Sequence, residues 1–284
     1  MARRESDFAG SWYPSKESEC RKLIEEFSRS DLPCPSPQRR RVGGIVPHAG
    51  WIYSGRIACH VIKCLRDEIE PDTIIIFGKH LHPGSKSYIV KEGLWATPLG
   101  DIEIDQELGE RLASEFPFIV ETPSDYEPDN TIEVQLPFVR YFFPGVRILP
   151  IGVPPSLTSL RIGERSVEIS EGLGRKSIVL GSTDLTHYGY NYGYAPKGEG
   201  KQAVDWVKNE NDRKVVALME EMDAEGVIQE SLKNRNACCS GAVASAIAAA
   251  RKLGAAKGEK LIYSTSYDIR PNSSFVGYVG LVFL

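Results

Sequence analysis

Four of the five histidines in this chain follow short apolar runs by a few residues. His48 comes after Gly44-Ile45-Val46-Pro47, His80 and His82 after Ile74-Ile75-Ile76-Phe77-Gly78, and His187 after Ile178-Val179-Leu180-Gly181. If those runs are strands of an open α/β sheet, their carboxyl ends are where such a sheet gathers its ligands. Imidazole is both a common neutral metal ligand and a near-neutral acid/base, so three strand ends delivering it to one edge would build a metal site or a general-base site. A single loop histidine is more often just exposed; it is the joint placement that favours a shared site. Asp184 stands three residues before His187, where it can hydrogen-bond the ring, fix its tautomer or join a metal's surroundings. The plain alternative is a carboxylate capping a turn. Cys238-Cys239 precede an Ala-rich stretch reaching Arg251, and a helix there would set its positive end beside the thiols and favour thiolate. Such a thiolate could bind a soft metal; a redox or nucleophilic cysteine, or a merely buried pair, are the other readings.

Three further features carry weaker signals. Glu133 lies among apolar residues in Thr131-Ile132-Glu133-Val134-Gln135-Leu136-Pro137-Phe138, and a carboxylate in such surroundings is paired or functional because an isolated buried charge is costly. Tyr188-Gly189-Tyr190-Asn191-Tyr192-Gly193-Tyr194 alternates aromatic and small residues directly after His187, as a pocket wall or a packed glycine-rich loop would. His60 shares a helical stretch with Ile57, Val61, Cys64 and Leu65 and reads as a packing histidine, with Cys59 and Cys64 as small hydrophobes.

The elements that must position these groups alternate between strands and helices. Near-continuous apolar runs at 42–46, 73–77, 147–153 and 176–180 predict buried strands of a parallel or mixed sheet, and alternating runs at 87–90 and 274–283 add two more. Helical spacing covers about 15–28, 55–66, 105–115, 158–171, 211–232 and 240–253, a layered α/β pattern. Residues 31–41, with Pro33, Pro35, Pro37 and then Arg39-Arg40-Arg41, read as an exposed linker. One α/β domain over 1–284 is expected, with a central mixed or mostly parallel sheet, helices on both faces, and an N-terminal helix and linker (about 1–41) packed onto it.

Composition narrows the function classes. The 284 residues are 42% hydrophobic and 25% charged, as in an ordinary globular protein, and 34 Lys and Arg against 38 Asp and Glu give a net charge of −4. That balance argues against nucleic-acid binding, which normally uses a basic surplus. No apolar run approaches the roughly 20 residues of a membrane span, and no apolar stretch follows Arg3-Arg4, so a cytoplasmic address is expected. The six cysteines (Cys20, Cys34, Cys59, Cys64, Cys238, Cys239) form no dense disulfide framework and are expected to be mostly thiols.

In this order the motifs resemble the Memo-like family, the mediator of ErbB2-driven cell motility and its microbial relatives. The resemblance spans nearly the whole chain. It is carried by Ala9-Gly10-Ser11-Trp12-Tyr13-Pro14, Pro47-His48-Ala49-Gly50-Trp51-Ile52-Tyr53-Ser54-Gly55, Ile132-Glu133-Val134-Gln135-Leu136-Pro137-Phe138, Ser182-Thr183-Asp184-Leu185-Thr186-His187-Tyr188-Gly189, Ala237-Cys238 and Thr265-Ser266-Tyr267-Asp268. It implies a fold like that of class III extradiol dioxygenases, in which two histidines and a glutamate hold Fe(II) and a further histidine is the acid/base. Carried over by motif, His48 and His82 correspond to the histidine ligands, His187 to the acid/base and Cys238 to the glutamate position. Iron or copper is the implied metal, with zinc as a further option. Two departures stand out. Gly78-Lys79-His80-Leu81-His82-Pro83-Gly84 is one residue longer than the family's Gly-Pro-Asn-His-x-Gly; the trailing His-x-Gly selects His82, whereas counting from Gly78 selects His80. Asp129-Asn130-Thr131 replaces the family's Glu-His-Ser, leaving Asn130 able to donate a hydrogen bond but not to shuttle a proton.

Two imidazoles and a thiolate form a softer set than the two-histidine, one-carboxylate triad and suit Cu(I), Zn or thiolate-ligated iron. The leading expectation is therefore a metal-binding protein open to redox chemistry, with His48, His82 and Cys238 as ligands, His187 as proton-transfer residue and Asp184 orienting it, acting on an unidentified small molecule. A non-catalytic scaffold is the alternative from another class; its partner binding would survive His187→Ala. A zinc-dependent hydrolase would act on esters or amides without oxygen. Association with a radical-SAM protein is an expectation of the resemblance alone, and an oligomer is compatible with the sequence.

Overall fold

The computed structural model describes residues 2–29, 32, 34, 40–66 and 70–284. In chain order the elements begin with β1 (Arg3–Arg4), α1 (Glu17–Ser28), β2 (Gly43–Val46), α2 (Trp51–Arg66), β3 (Thr73–Gly78) and β4 (Tyr88–Val90). Next come β5 (Leu94–Trp95), β6 (Ile102–Glu103), α3 (Gln106–Glu115), β7 (Ile119–Glu121), α4 (Asn130–Glu133), α5 (Leu136–Phe142) and β8 (Arg147–Gly152). After α6 (Leu157–Gly172), β9 (Ser177–Ser182), β10 (His187–Tyr188) and α7 (Lys201–Trp206), a π-helical turn leads into α8 (Asp212–Glu220). The chain ends with α9 (Ala224–Asn234), α10 (Ser240–Lys252), β11 (Gly258–Thr265), α11 (Ser266–Ile269) and β12 (Phe275–Phe283).

Nine of the strands form one mixed sheet in the order β10-β12-β2-β9-β3-β8-β4-β7, with β11 paired to β12. The middle strands β2, β9, β3 and β8 are mutually parallel, flanked by antiparallel β12 on one side and β4 on the other. Side chains of a strand alternate between its two faces, and the apolar runs use both. Ile74, Ile76, Ile178 and Leu180 pack with Ile24, Val61, Leu65 and Phe138 of α1, α2 and α5. Ile75, Phe77, Val179 and Leu149 pack with Leu108, Ile162, Val243 and Ile247 of α3, α6 and α10 on the opposite face. The expected α/β layering, helices on both faces, is what the structure shows.

Several local expectations need correction. The helix read over 211–232 is two helices, because Met222 takes a left-handed backbone (φ 59°) between α8 and α9. Most of the proline-rich linker, 30–31, 33 and 35–39, lies outside the described residues; Arg40 is exposed, but Arg41 is buried rather than solvated. Cys34 and Cys64 are joined in a disulfide across a Cα–Cα distance of 5.4 Å, so two of the expected thiols are not free; Cys20, Cys59, Cys238 and Cys239 are. Among the described residues no helix is long and apolar enough to cross a membrane.

Behind the sheet edge that carries His187, a buried carboxylate braces the chain. Asp212 accepts from the Thr186 N–H (3.1 Å) and hydroxyl and from the Tyr263 hydroxyl (2.7 Å), and it fits only because residue 277 is glycine, whose Cβ would stand 2.0 Å from Asp212 Oδ2. Burial pushes its pKa up to about 6, against those hydrogen bonds. A carboxyl whose folded pKa lies above the unfolded value of about 3.9 stabilises fully below about pH 4. That contribution fades as pH rises through about 6. Asp212→Asn should therefore remove a loss of about 2–3 kcal/mol that the parent suffers over this window. Urea unfolding of both proteins across the window checks it, and parallel pH profiles would contradict it.

Candidate metal centre

Because β2, β9 and β3 are adjacent and parallel, their carboxyl ends open side by side. They deliver Pro47-His48, Thr183-Asp184 and Lys79-His80 to one edge, while the turn before α10 brings Cys238-Cys239 from below. One ligand atom from each of His48, His80, Cys238 and Cys239 lies within 4.8 Å of the others.

His48 is buried and its ring is oriented by a hydrogen-bond chain. Ser182 Oγ donates to the Thr131 carbonyl (2.7 Å), so toward His48 Nδ1 (3.0 Å) it can only accept. Nδ1 therefore carries a proton, and in the neutral ring the Nε2 lone pair is free, 3.3 Å from Cys238 Sγ. The loop bearing His48 is pinned by Asn130, whose amide donates to the His48 carbonyl (2.8 Å), and by Gln135 donating to the Pro47 carbonyl (2.8 Å). Asn130 thus fills the donor role the sequence assigned to it. Asp184 Oδ1 accepts from the His48 N–H (2.8 Å).

The second imidazole is that of His80, not His82. Lys79 adopts a left-handed backbone (φ 73°) at the end of β3 and turns the chain so that the next side chain faces His48, with ring centroids 4.9 Å apart. That conformation is held by the Lys79 N–H donating to Thr131 Oγ1 (2.7 Å) and by a buried ion pair with Glu121, itself paired to Arg4 (2.9 Å). Gly78 lets Thr131 approach, since a Cβ there would stand 2.5 Å from the Thr131 hydroxyl. Asp129 Oδ2 lies 3.2 Å from the His80 N–H and 3.1 Å from its Nδ1, leaving Nε2 for the site. His82 is exposed in the following turn, its carbonyl accepting from Ser85 (3.0 Å). The extra residue of this loop therefore falls after the histidine that faces His48, the one selected by counting from Gly78.

Cys238 is stabilised as a thiolate. Burial opposes this, but the neighbouring Cys239 thiol and the His48 and His187 imidazoles hold its pKa well below that of a free thiol. The Asp184 backbone N–H also donates to the sulfur (3.3 Å). Cys239, 3.7 Å away, is pushed the other way by burial and by the adjacent thiolate and keeps its proton. Cys239 caps α10, so the expected placement of the thiols at a helix N-terminus holds. For His48, burial is outweighed by Asp184 and Cys238, and its pKa is raised. For His80, burial is likewise outweighed by Asp129 and Cys238, which raise it to about 10.

His187 and Asp184 stand at the rim. Asp184 Oδ2 is 3.9 Å from Nε2 of both His48 and His187. Those distances are too long for hydrogen bonds, so Asp184 does not orient His187 in the way its spacing suggested. Its bond is to the backbone of His48. His187 Nε2 is buried with no hydrogen-bond partner, and the ring lies against Tyr192 at 5.0 Å. Both residues, with His48 and His80, line a cleft of about 980 Å³ walled by Trp12, Tyr53 and Tyr278. Tyr192 and Asn191 face this cleft, whereas Tyr188 packs into the core on Phe275 (5.1 Å), so the tyrosine-rich loop is wall and core together. Glu133 is structural: it accepts from the N–H groups of Asp7 (3.0 Å) and Phe8 (2.8 Å) and from the Tyr13 hydroxyl (2.8 Å), fixing the segment that forms one wall.

The donor set fits a metal ion. Two imidazole nitrogens and a thiolate, with an unpartnered imidazole nitrogen and a carboxylate oxygen beside them, form a nitrogen and sulfur set for a borderline or soft cation. Asp129 and Ser182 supply the outer hydrogen bonds that metal-binding histidines usually carry. Sequence reasoning missed both, since each lies far along the chain from its histidine.

Comparison with known proteins agrees with this architecture. The family model described as Memo-like protein matches residues 4–282. A MEMO1 family protein of Pyrococcus abyssi is 35% identical over 96% of this chain and 97% of its own length. One from Methanopyrus kandleri is 33% identical over 97% and 96%. Among solved structures, an uncharacterized protein of Escherichia coli K12 superposes with a TM-score of 0.54 over 79% of this chain and 91% of its own, at 9% identity, a likeness of fold alone.

Proposed function

The chain belongs to the Memo-like protein family, and from that premise we propose that it binds a single transition-metal ion through His48, His80 and Cys238 and uses it on a small molecule held in the adjoining cleft. The observation that carries this reading is His48 Nε2, the ring nitrogen that Ser182 leaves to the site, facing a stabilised thiolate at 3.3 Å. In a tetrahedral site built from bonds of about 2.0 Å to nitrogen and about 2.3 Å to sulfur, those two ligand atoms stand roughly 3.5 Å apart. Cys239 stays protonated, so three protein ligands leave a face open to the cleft. Iron or copper suits the thiolate best for redox work, with zinc as the non-redox occupant. Once bound, the ion supplies Lewis-acid polarisation and, as iron or copper, one-electron chemistry.

The protein's own groups do the rest. Asp129 and Ser182 hold the two imidazoles in the tautomer that points Nε2 inward. His187, which lines the cleft and whose Nε2 has no hydrogen-bond partner, takes or gives a proton at that atom. Trp12, Tyr53 and Tyr192 give the cleft aromatic walls that exclude water from a bound ring or chain.

A pH titration tests the reading. The pKa of His80, raised to about 10 by Asp129 and Cys238, means that this ring carries an extra proton at neutral pH in the metal-free protein, and Asp184 and Cys238 raise that of His48 as well. A cation must displace that proton, so affinity falls as pH falls and rises as pH rises toward about 10. Zn(II) affinity, read by competition with a chromophoric chelator, should tighten roughly tenfold or more per pH unit around neutrality. Affinity that does not change with pH, or no uptake at all, would contradict it.

A further inference from the structure

A second cluster of soft ligands lies away from the cleft. His60 and Cys64 are one turn apart on α2 and so share a face, and Cys34 reaches them from the segment after α1. Their ligand atoms lie within 4.8 Å of one another. His60 and Cys64 are buried while Cys34 is half-buried, so one side of the cluster meets solvent. His60 lies nine positions beyond Trp51, about 13 Å along the helix from the end nearest the cleft. A disulfide needs no imidazole against it, yet His60 Nε2 stands 3.7 Å from Cys64 Sγ. That is close to the roughly 3.5 Å separating nitrogen and sulfur ligands of one tetrahedral zinc ion.

We propose that Cys34, His60 and Cys64 form a redox-gated metal site. Oxidised, the two sulfurs are bonded to each other and offer no thiolate. A cellular or added dithiol passes two electrons to the Cys34–Cys64 bond and leaves as its own disulfide, while its two protons go to the released cysteines. A soft divalent cation then takes both sulfurs and His60 Nε2, releasing the two thiol protons, with the fourth position left to solvent on the Cys34 side. Two bonded sulfurs cannot occupy separate tetrahedral corners about 3.8 Å apart, so disulfide and ion exclude each other. The chain would thereby convert the redox poise of its surroundings into metal occupancy, independently of the cleft.

The test uses the full chain carrying Cys238→Ala, so that the first site does not report. Zn(II) and Cd(II) are titrated into the oxidised protein and into protein reduced with a phosphine, with circular dichroism recorded on both. The expected result is a single equivalent bound only after reduction, a cadmium–thiolate charge-transfer band, and protection from a thiol reagent of the two thiols that reduction releases, Cys34 and Cys64, once the ion is in place. His60→Gln should weaken reduced-state binding by more than the roughly 10- to 100-fold cost of losing an outer-sphere partner. Equal uptake before and after reduction, no uptake after reduction, unchanged affinity in His60→Gln, or unfolding on reduction would each overturn the proposal and leave a purely structural disulfide.

Discussion

Replacing Cys238 by alanine should weaken metal binding at the cleft by well over the roughly 10- to 100-fold that removing an outer partner of a metal site costs. The sulfur is the single anionic ligand in the proposed set, and the structure surrounds it with the Asp184 N–H, the Cys239 thiol and two imidazoles that favour its charge. Without it, buried His48 and solvent-exposed His80 would present only two neutral nitrogens, a poor trap for a cation that must also shed its water. Isothermal titration of Zn(II) into the parent and Cys238→Ala, with the Cys34–Cys64 disulfide intact in both, measures the effect. Binding within tenfold of the parent would show that the thiolate is not a ligand.

His80→Ala should lose metal to a similar extent, whereas His82→Ala should bind as the parent does. The contrast is sharp because the two residues are two positions apart in one loop, so a general effect on loop folding would touch both. His80 is turned toward the site by Lys79, whose left-handed turn is secured by Thr131 and by the buried pairing with Glu121 and Arg4. Equilibrium dialysis with Zn(II) on the two variants separates them, and the reverse pattern would restore the assignment made from the His-x-Gly match.

Much of this fold was readable before any coordinates because its central strands are buried on both faces. Runs such as Ile74-Ile75-Ile76-Phe77, bounded by Thr73 and Gly78, need no alternation to be recognised. β11 escaped notice because its side chains are mostly half-buried and its pattern is neither continuous nor cleanly alternating. α7 escaped because few of its residues are buried. The break between α8 and α9 rests on the backbone of Met222, a residue type that gives no warning of a left-handed turn.

The site divides in the same way. His48, His187, Asp184 and Cys238 were legible because strand ends and a helix start must bring them to one edge. The choice between His80 and His82 was not, because it depends on the backbone angle of Lys79 and on a hydroxyl 52 residues away. Nor could spacing show that Asp184 serves the backbone of His48 and not the ring of His187, since the two separations, 2.8 Å and 3.9 Å, are set by tertiary packing. The disulfide was hidden for a related reason: Cys34 and Cys64 are 30 residues apart with no motif between them.

Anaerobic reconstitution of protein purified without a polyhistidine tag, using Co(II) as a spectroscopic substitute and reading absorbance against added equivalents, addresses the central claim most directly. A single equivalent should be taken up with an intense thiolate-to-cobalt charge-transfer band that disappears in Cys238→Ala. Uptake without that band, or a band that survives loss of Cys238, would contradict a metal centre built on His48, His80 and Cys238.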